Sequence, residues 1–169
     1  MARQASYVPC ETFSMDYFDI APVRFVYDRE IPVSAETLFA IFRDADAWPK
    51  WAGGIRRVEW TSAEPFGVGT TRIVDLSGGL SVDELFIAWE EGRRMAFCLR
   101  GSTRPVWRAF GEDYQLTPLD DDRCRLRWIV AYEPRGWFAT IHPLMGPVMK
   151  KSLGRFADEL VRFAPRWSR

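Results

Sequence analysis

Residues 31–60 read IPVSAETLFAIFRDADAWPKWAGGIRRVEW, and within this stretch the apolar period changes twice. The preceding VRFVYDREI, Val23 to Ile31, alternates as a strand does, with Val23, Phe25 and Tyr27 on one face, and Pro32 ends it. Ser34 then stands where a helix N-cap belongs. Glu36 falls in the first turn, and Leu38, Ile41 and Phe42 recur at helical spacing, so a helix is expected over 35–43. Asp44 to Gly54 is short and interrupted by Pro49, which suits a turn or a short second helix closed by Gly53 and Gly54. Trp48 and Trp51 are expected to plug an end of the core.

From Ile55 the strand period returns and stays. Ile55 to Ser62, Thr70 to Leu76, Ser81 to Trp89, Arg93 to Gly101, Val106 to Leu116 and Cys124 to Tyr132 are strand-length runs. Short turn signals separate them: Gly67 to Gly69, Gly78 with Gly79, Glu90 to Gly92, Gly101 to Pro105, and Pro118 to Asp122. Connections this short imply an antiparallel meander. Arg125 and Arg127 oppose Leu126, Trp128, Val130 and Tyr132, while Met95, Phe97 and Leu99 share a face against Ala96, Cys98 and Arg100. One face should be wet and the other covered.

After a bend at Glu133 to Gly136 the period becomes helical again. Met145, Met149, Ser152, Phe156, Leu160 and Phe163 fall on one stripe, and Gly146 with Pro147 marks the start of this long helix or a kink in it. Residues 1–22, with Pro9 and Pro22 and no sustained period, form an arm whose aromatics Tyr7, Phe13, Tyr17 and Phe18 suggest that part of it packs down. The domain then spans 23–165 and a tail 166–169. The expected class is α+β, a curved six- or seven-stranded antiparallel sheet wrapped around the long C-terminal helix, with one or two short helices after the first strand. A single helix cannot fill so strongly curled a sheet along its whole length, so a pocket between them follows.

Composition narrows the function classes. Lys plus Arg equals Asp plus Glu at 23 each, which leaves no net field for nucleic-acid phosphates, and nucleic-acid binding is not expected. Aliphatic and aromatic residues make up 47% of the chain, with 8 Trp and 12 Phe, enough for a large core, a lined cavity or both. Cys10, Cys98 and Cys124 are odd in number and far apart, fitting neither a disulfide framework nor a zinc site. No metal, cofactor, secretory signal or transmembrane segment is expected, and the cytoplasm is the expected compartment. A homodimer is left open.

The order of elements resembles the SRPBCC superfamily of START-like, helix-grip proteins, within it the polyketide cyclase/dehydrase and lipid-transport-like branch. The resemblance is carried by IPVSAETLF, the Asp46 to Trp51 segment, the Gly67 to Thr70 turn, EDYQLTPLDDDRCRLRW and SLGRFADEL, across about residues 24–163. It implies a seven-stranded sheet gripping the last helix around a cavity for lipids, sterols, polyketides or similar molecules. Members of the superfamily include aromatase/cyclases, carriers and hormone receptors.

Inward-facing positions supply the candidate site. If Leu126, Trp128 and Val130 face inward, the neighbouring strand should turn Arg108, Phe110, Glu112 and Tyr114 the same way, placing a cation, a carboxylate and a phenol in an apolar cavity. Arg108 would orient a carbonyl or carboxylate, and Glu112 or Tyr114 would act as hydrogen-bonding or proton-transfer group; the plain alternative is a structural ion pair or a register that turns them to solvent. Trp60, Phe97, Trp128, Met149 and Phe156 are the expected apolar walls, with Ser152 the one hydroxyl on the helix stripe. Arg72 beside Val74 and Leu76, and Glu84 beside Val82 and Phe86, offer the same inward charges, opposed by Ile73 and by the equally apolar face of Leu85, Ile87 and Trp89. His142, the sole histidine, reads as a residue leading into the last helix. Two functions fit: a binding protein for a hydrophobic or aromatic small molecule, or a metal-free cyclase, aromatase or dehydratase that folds a polyketide-like substrate in the same cavity.

Overall fold

The computed structural model describes residues 6–168, so the first five residues of the expected arm and the last of the tail lie outside the described residues. Strand β1 is Val8–Pro9, followed by the single-turn helix α1, Tyr17–Ile20. Strand β2 is Val23–Ile31 and helix α2 is Ala35–Arg43, begun by a Ser34 side chain that accepts from the Thr37 N–H at 3.1 Å. Leu38, Phe39, Ile41 and Phe42 are all but fully buried along α2. Removing each from water stabilises the fold by about 2 kcal/mol before entropy is counted, which holds α2 against the sheet. The second short helix, α3, is Trp48–Trp51.

Six strands follow: β3 Ile55–Trp60, β4 Thr71–Leu76, β5 Ser81–Glu90, β6 Arg94–Ser102, β7 Trp107–Asp120 and β8 Arg123–Pro134. The sheet order is β2-β8-β7-β6-β5-β4-β3, antiparallel throughout, with β1 paired to β6 off this path. Seven strands therefore form the curled sheet. Helices α2 and α3 carry the chain from one edge strand, β2, to the other, β3. Gly78 and Gly79 turn the β4–β5 hairpin with φ of 79° and 74°, values that non-glycine residues rarely adopt.

The last helix, α4, is Gly136–Phe163 and lies against β2 and α3. It starts almost three turns before Gly146 and Pro147, so these residues do not mark its start. Tyr27 Oη donates to the Lys150 carbonyl at 2.7 Å, and Arg29 Nε bonds Asp158 at 2.7 Å, fixing the helix to β2. The face turned to the core carries Met149, Leu153, Phe156, Ala157 and Leu160. Met145, expected on that face, is 41% exposed. His142 lies inside the helix, with Nε2 2.6 Å from Tyr132 Oη.

The outer face of the sheet is not simply wet. Phe13 and Phe18 of the arm cover Ala96, Ile129 and Ala131. Gly111 makes this possible, since a Cβ there would come within 2.6 Å of the Phe13 ring and 2.4 Å of the Phe97 carbonyl. Among the described residues no helix is long and apolar enough to cross a membrane.

Candidate functional site

The concave face of the sheet, α3 and α4 enclose a cavity of about 100 Å³. Trp48 and Trp51 reach it from α3, Leu153 and Phe156 from α4, and the remaining wall comes from Ala52 and Gly54 after α3 and from β3 to β8. Gly54 lies against Phe156: a Cβ at Gly54 would sit 3.4 Å from the ring. Nearly all the exposed lining is carbon, and the polar exceptions are few: Arg72, Glu84, Glu112, Tyr114 and the indole N–H groups.

Arg72 on β4 and Glu84 on β5 stand directly opposite each other, and Arg72 Nε bonds Glu84 Oε2. They are 1% and 4% exposed. Four rings surround the guanidinium, with Trp48 closest at 4.4 Å to its centroid and Phe86, Trp60 and Phe97 at 5.1–5.3 Å. The cation is thereby held by one carboxylate and by the faces of aromatic rings. Its Nη1 finds no acceptor within the protein.

Glu112 on β7 accepts from Tyr114 Oη and, at 3.1 Å, from Trp128 Nε1. Tyr114 and Trp128 are themselves stacked, 5.6 Å between centroids and 11° between planes. Burial pushes the Glu112 carboxyl up to about 7; the Tyr114 hydrogen bond pulls it down and the nearby Glu84 charge pushes it further up. At neutral pH this group therefore holds a proton far more readily than an exposed glutamate does. Burial raises Glu84 as well, with Arg72 opposing, and it lifts the Tyr114 phenol well above its ordinary value.

Two further cavity-lining residues carry a buried donor that no acceptor in the protein meets: Trp51 through Nε1 and Trp107 through Nε1. With Arg72 Nη1 that makes three buried N–H groups on residues that line one apolar space, and each such group costs about 1–3 kcal/mol unless something answers it. The arrangement can hold acceptor oxygens. Among the described residues no three His, Cys, Asp or Glu side chains are grouped so as to hold a metal ion.

Phe97, Glu112, Tyr114, Trp128 and Phe156, expected from the sequence, all line this cavity. Arg108 does not. The register of β7 against β8 shifts between Trp107 and Ala109, so one extra residue is inserted, and strand parity reverses across it. Trp107 and Phe110 both face inward as a result, while Arg108 is exposed and pairs with Glu133 at 3.2 Å. Trp60 lies beyond the cavity, stacked on Phe66 at 4.3 Å with its N–H donating to the Arg43 carbonyl at 3.0 Å. Met149 and Ser152 also lie outside the lining, because α4 is rotated to present Leu153 and Phe156.

Arg72 and Glu84 compete with other faces of their strands in the sequence, and the cross-strand contact between them is the signal that decides it. An isolated inward charge is costly on either strand, but an Arg and a Glu that face each other in register compensate each other. Trp107 carries no such signal, since only the bulge turns it inward.

Comparison with known proteins places this geometry. The family described as polyketide cyclase / dehydrase and lipid transport matches residues 22–161. An uncharacterized protein of Mycobacterium tuberculosis, Rv2574, is 38% identical over 155 residues, covering 92% of each chain, and an uncharacterized protein of Mycobacterium bovis matches to the same extent. Among solved structures, the Zhui aromatase/cyclase from Streptomyces sp. R1128 has a TM-score of 0.71 at 11% identity, over 85% of this chain and 94% of that one. A START superfamily protein from Mycobacterium smegmatis has a TM-score of 0.64 at 19% identity, over 82% of this chain and 92% of that one. Identities this low speak for the helix-grip fold alone. The extent of the family match and of the mycobacterial identity settles the rest: this chain belongs to the polyketide cyclase / dehydrase and lipid transport family.

Proposed function

We propose that the protein binds an apolar, ring-bearing small molecule in this cavity and holds it by one or more carbonyl oxygens. The observation that carries the reading is the set of three unanswered donors, Arg72 Nη1, Trp51 Nε1 and Trp107 Nε1, on residues that line an otherwise apolar space. Glu84 already neutralises Arg72, so what the site offers is directed N–H dipoles more than net charge, and a neutral carbonyl answers them better than a second anion. The aromatic walls suit a planar ring, and the ligand class includes lipid-like and polyketide-like molecules.

A volume of about 100 Å³ holds one small ring, whereas pockets for multi-ring ligands run to roughly 300 Å³ and more. A larger ligand therefore enters by displacing Leu153 and Phe156, the two side chains that α4 contributes. Three free thiols, two of them buried, suit a reducing cytoplasm.

Mass spectrometry of small molecules released from native protein tests the reading. The expected result is a ring-bearing carbonyl compound, or uptake of one when it is supplied. Protein that neither carries nor takes up any apolar molecule would overturn it.

A second reading, a cyclase or dehydratase acting in the same cavity, is favoured by one observation: Glu112, raised to about 7, lies among the cavity walls with Arg72. A proton on carbon next to a carbonyl held by Arg72 could pass to its carboxylate. Glu112→Gln then abolishes turnover and leaves ligand binding in place; turnover that survives the substitution removes Glu112 from the role.

A further inference from the structure

The first half of α4 turns apolar side chains to water. Trp137 is 56% exposed, Ile141 37%, Leu144 79% and Val148 54%. Their spacing, four then three then four residues, puts them on one stripe of the helix about 16 Å long. The same stripe continues into Lys151 and Arg155, both exposed. No Asp or Glu occurs from Pro134 to Ala157. The ion pairs that α4 makes among the described residues, Arg29 with Asp158 and Arg162 with Glu159, both lie beyond that span. Lys151 and Arg155 thus present their charge outward beside an uncovered apolar row.

We infer that this outer face of α4, from Trp137 to Arg155, docks on the surface of an anionic lipid bilayer, its apolar row sinking among the acyl chains and its cations meeting headgroup phosphates. A bilayer satisfies both halves of the stripe at once: a tryptophan and aliphatic side chains at the boundary, and basic residues on the same face next to them. A second copy of the chain fits less well, because it would bring the same acid-free surface and nothing negative to meet the cations. The overall charge of zero does not oppose docking, since the relevant field is that of the face and not of the molecule. The helix lies on the bilayer and does not enter it, in keeping with its lack of a long apolar span. Its opposite side supplies Leu153 and Phe156 to the cavity, so docking would bring the cavity wall to the membrane. The inference itself stands on the outer face and does not require the cavity to bind anything.

Co-sedimentation of the full chain with vesicles tests it, using phosphatidylcholine alone and phosphatidylcholine mixed with phosphatidylglycerol. Binding is expected on the mixed vesicles, weakening as salt is raised. Lys151→Glu/Arg155→Glu should lower it at least tenfold, taking about fivefold per basic residue near the surface. Leu144→Asp/Val148→Asp should abolish it. All four positions are exposed, so thermal melts should match the parent, and a matching melt with lost binding assigns the effect to the face. Absence of binding to mixed vesicles, binding unchanged by both variants, or a dimer in sedimentation velocity that Leu144→Asp/Val148→Asp dissociates would each overturn the inference.

Discussion

Glu112 and Asp113 are neighbours on β7 and face opposite sides of the sheet. Asp113, on the outer face, is fully buried and fully answered: Arg94 meets it with two hydrogen bonds of 2.9 and 2.7 Å, and Gln115 Nε2 adds a third at 2.7 Å. Glu112, on the inner face, has two donors, no cation bonded to it, and a carboxyl raised to about 7. One carboxylate is therefore structural and satisfied within the protein. The other is left without a cation beside a cavity whose lining residues carry unanswered donors, which is the pattern expected where a ligand completes the hydrogen bonding.

The largest effect that would break this contrast is expected at Asp113. Asp113→Ala removes three acceptor interactions and strands Arg94, costing about 3 kcal/mol in chemical denaturation, while ligand affinity below the melting range stays at the parent value. A loss of affinity as large as the loss of stability would make Asp113 part of the site.

Glu112→Gln should act in the opposite direction and depend on pH. The carboxyl ionises near 4.5 when unfolded and near 7 when folded, so the folded state binds the extra proton in between. Stability conferred by that proton is fully present below 4.5 and is lost as pH rises through 7. The neutral amide of the variant avoids the loss and can still accept from Tyr114 and Trp128. The variant should match the parent at about pH 4 and exceed it by up to about 3 kcal/mol at about pH 8. Parallel stability curves across that range would show that Glu112 is not raised.

Arg108→Ala sharpens the correction at the bulge. Its ion pair with Glu133 is exposed, so the expected cost is below about 0.5 kcal/mol, with no change in ligand binding. Arg72→Gln/Glu84→Gln, which removes both charges and so leaves neither stranded, should weaken a carbonyl ligand by about tenfold or more.

Much of this is readable in the sequence, for reasons that differ by element. Strand β2 and helix α2 are legible to the residue because Pro32 and Ser34 punctuate them locally. The meander is legible because its turns carry glycine and its strands alternate. The inward direction of Glu112, Tyr114 and Trp128 follows from that alternation. What is not legible depends on interactions distant in the chain. The bulge at Arg108 is set by pairing with β8, and one inserted residue reverses every inward assignment before it. The rotation of α4 is set by its anchoring through Tyr27 and Arg29, which turns Leu153 inward in place of Ser152. The first turns of α4 are not legible because Trp137, Ile141, Leu144 and Val148 carry the same helical spacing as a buried stripe and yet face outward.

Buried donors that wait for a carbonyl oxygen set this cavity apart, and a matched pair of single-ring probes tests them most directly. Acetophenone and ethylbenzene are close in size and differ in the carbonyl. Titrated into the protein by nuclear magnetic resonance, acetophenone should bind at least tenfold tighter and move the indole N–H resonances of Trp51 and Trp107 downfield, as hydrogen bonds form. Equal affinities for the two probes, with both indole resonances unmoved, would contradict it.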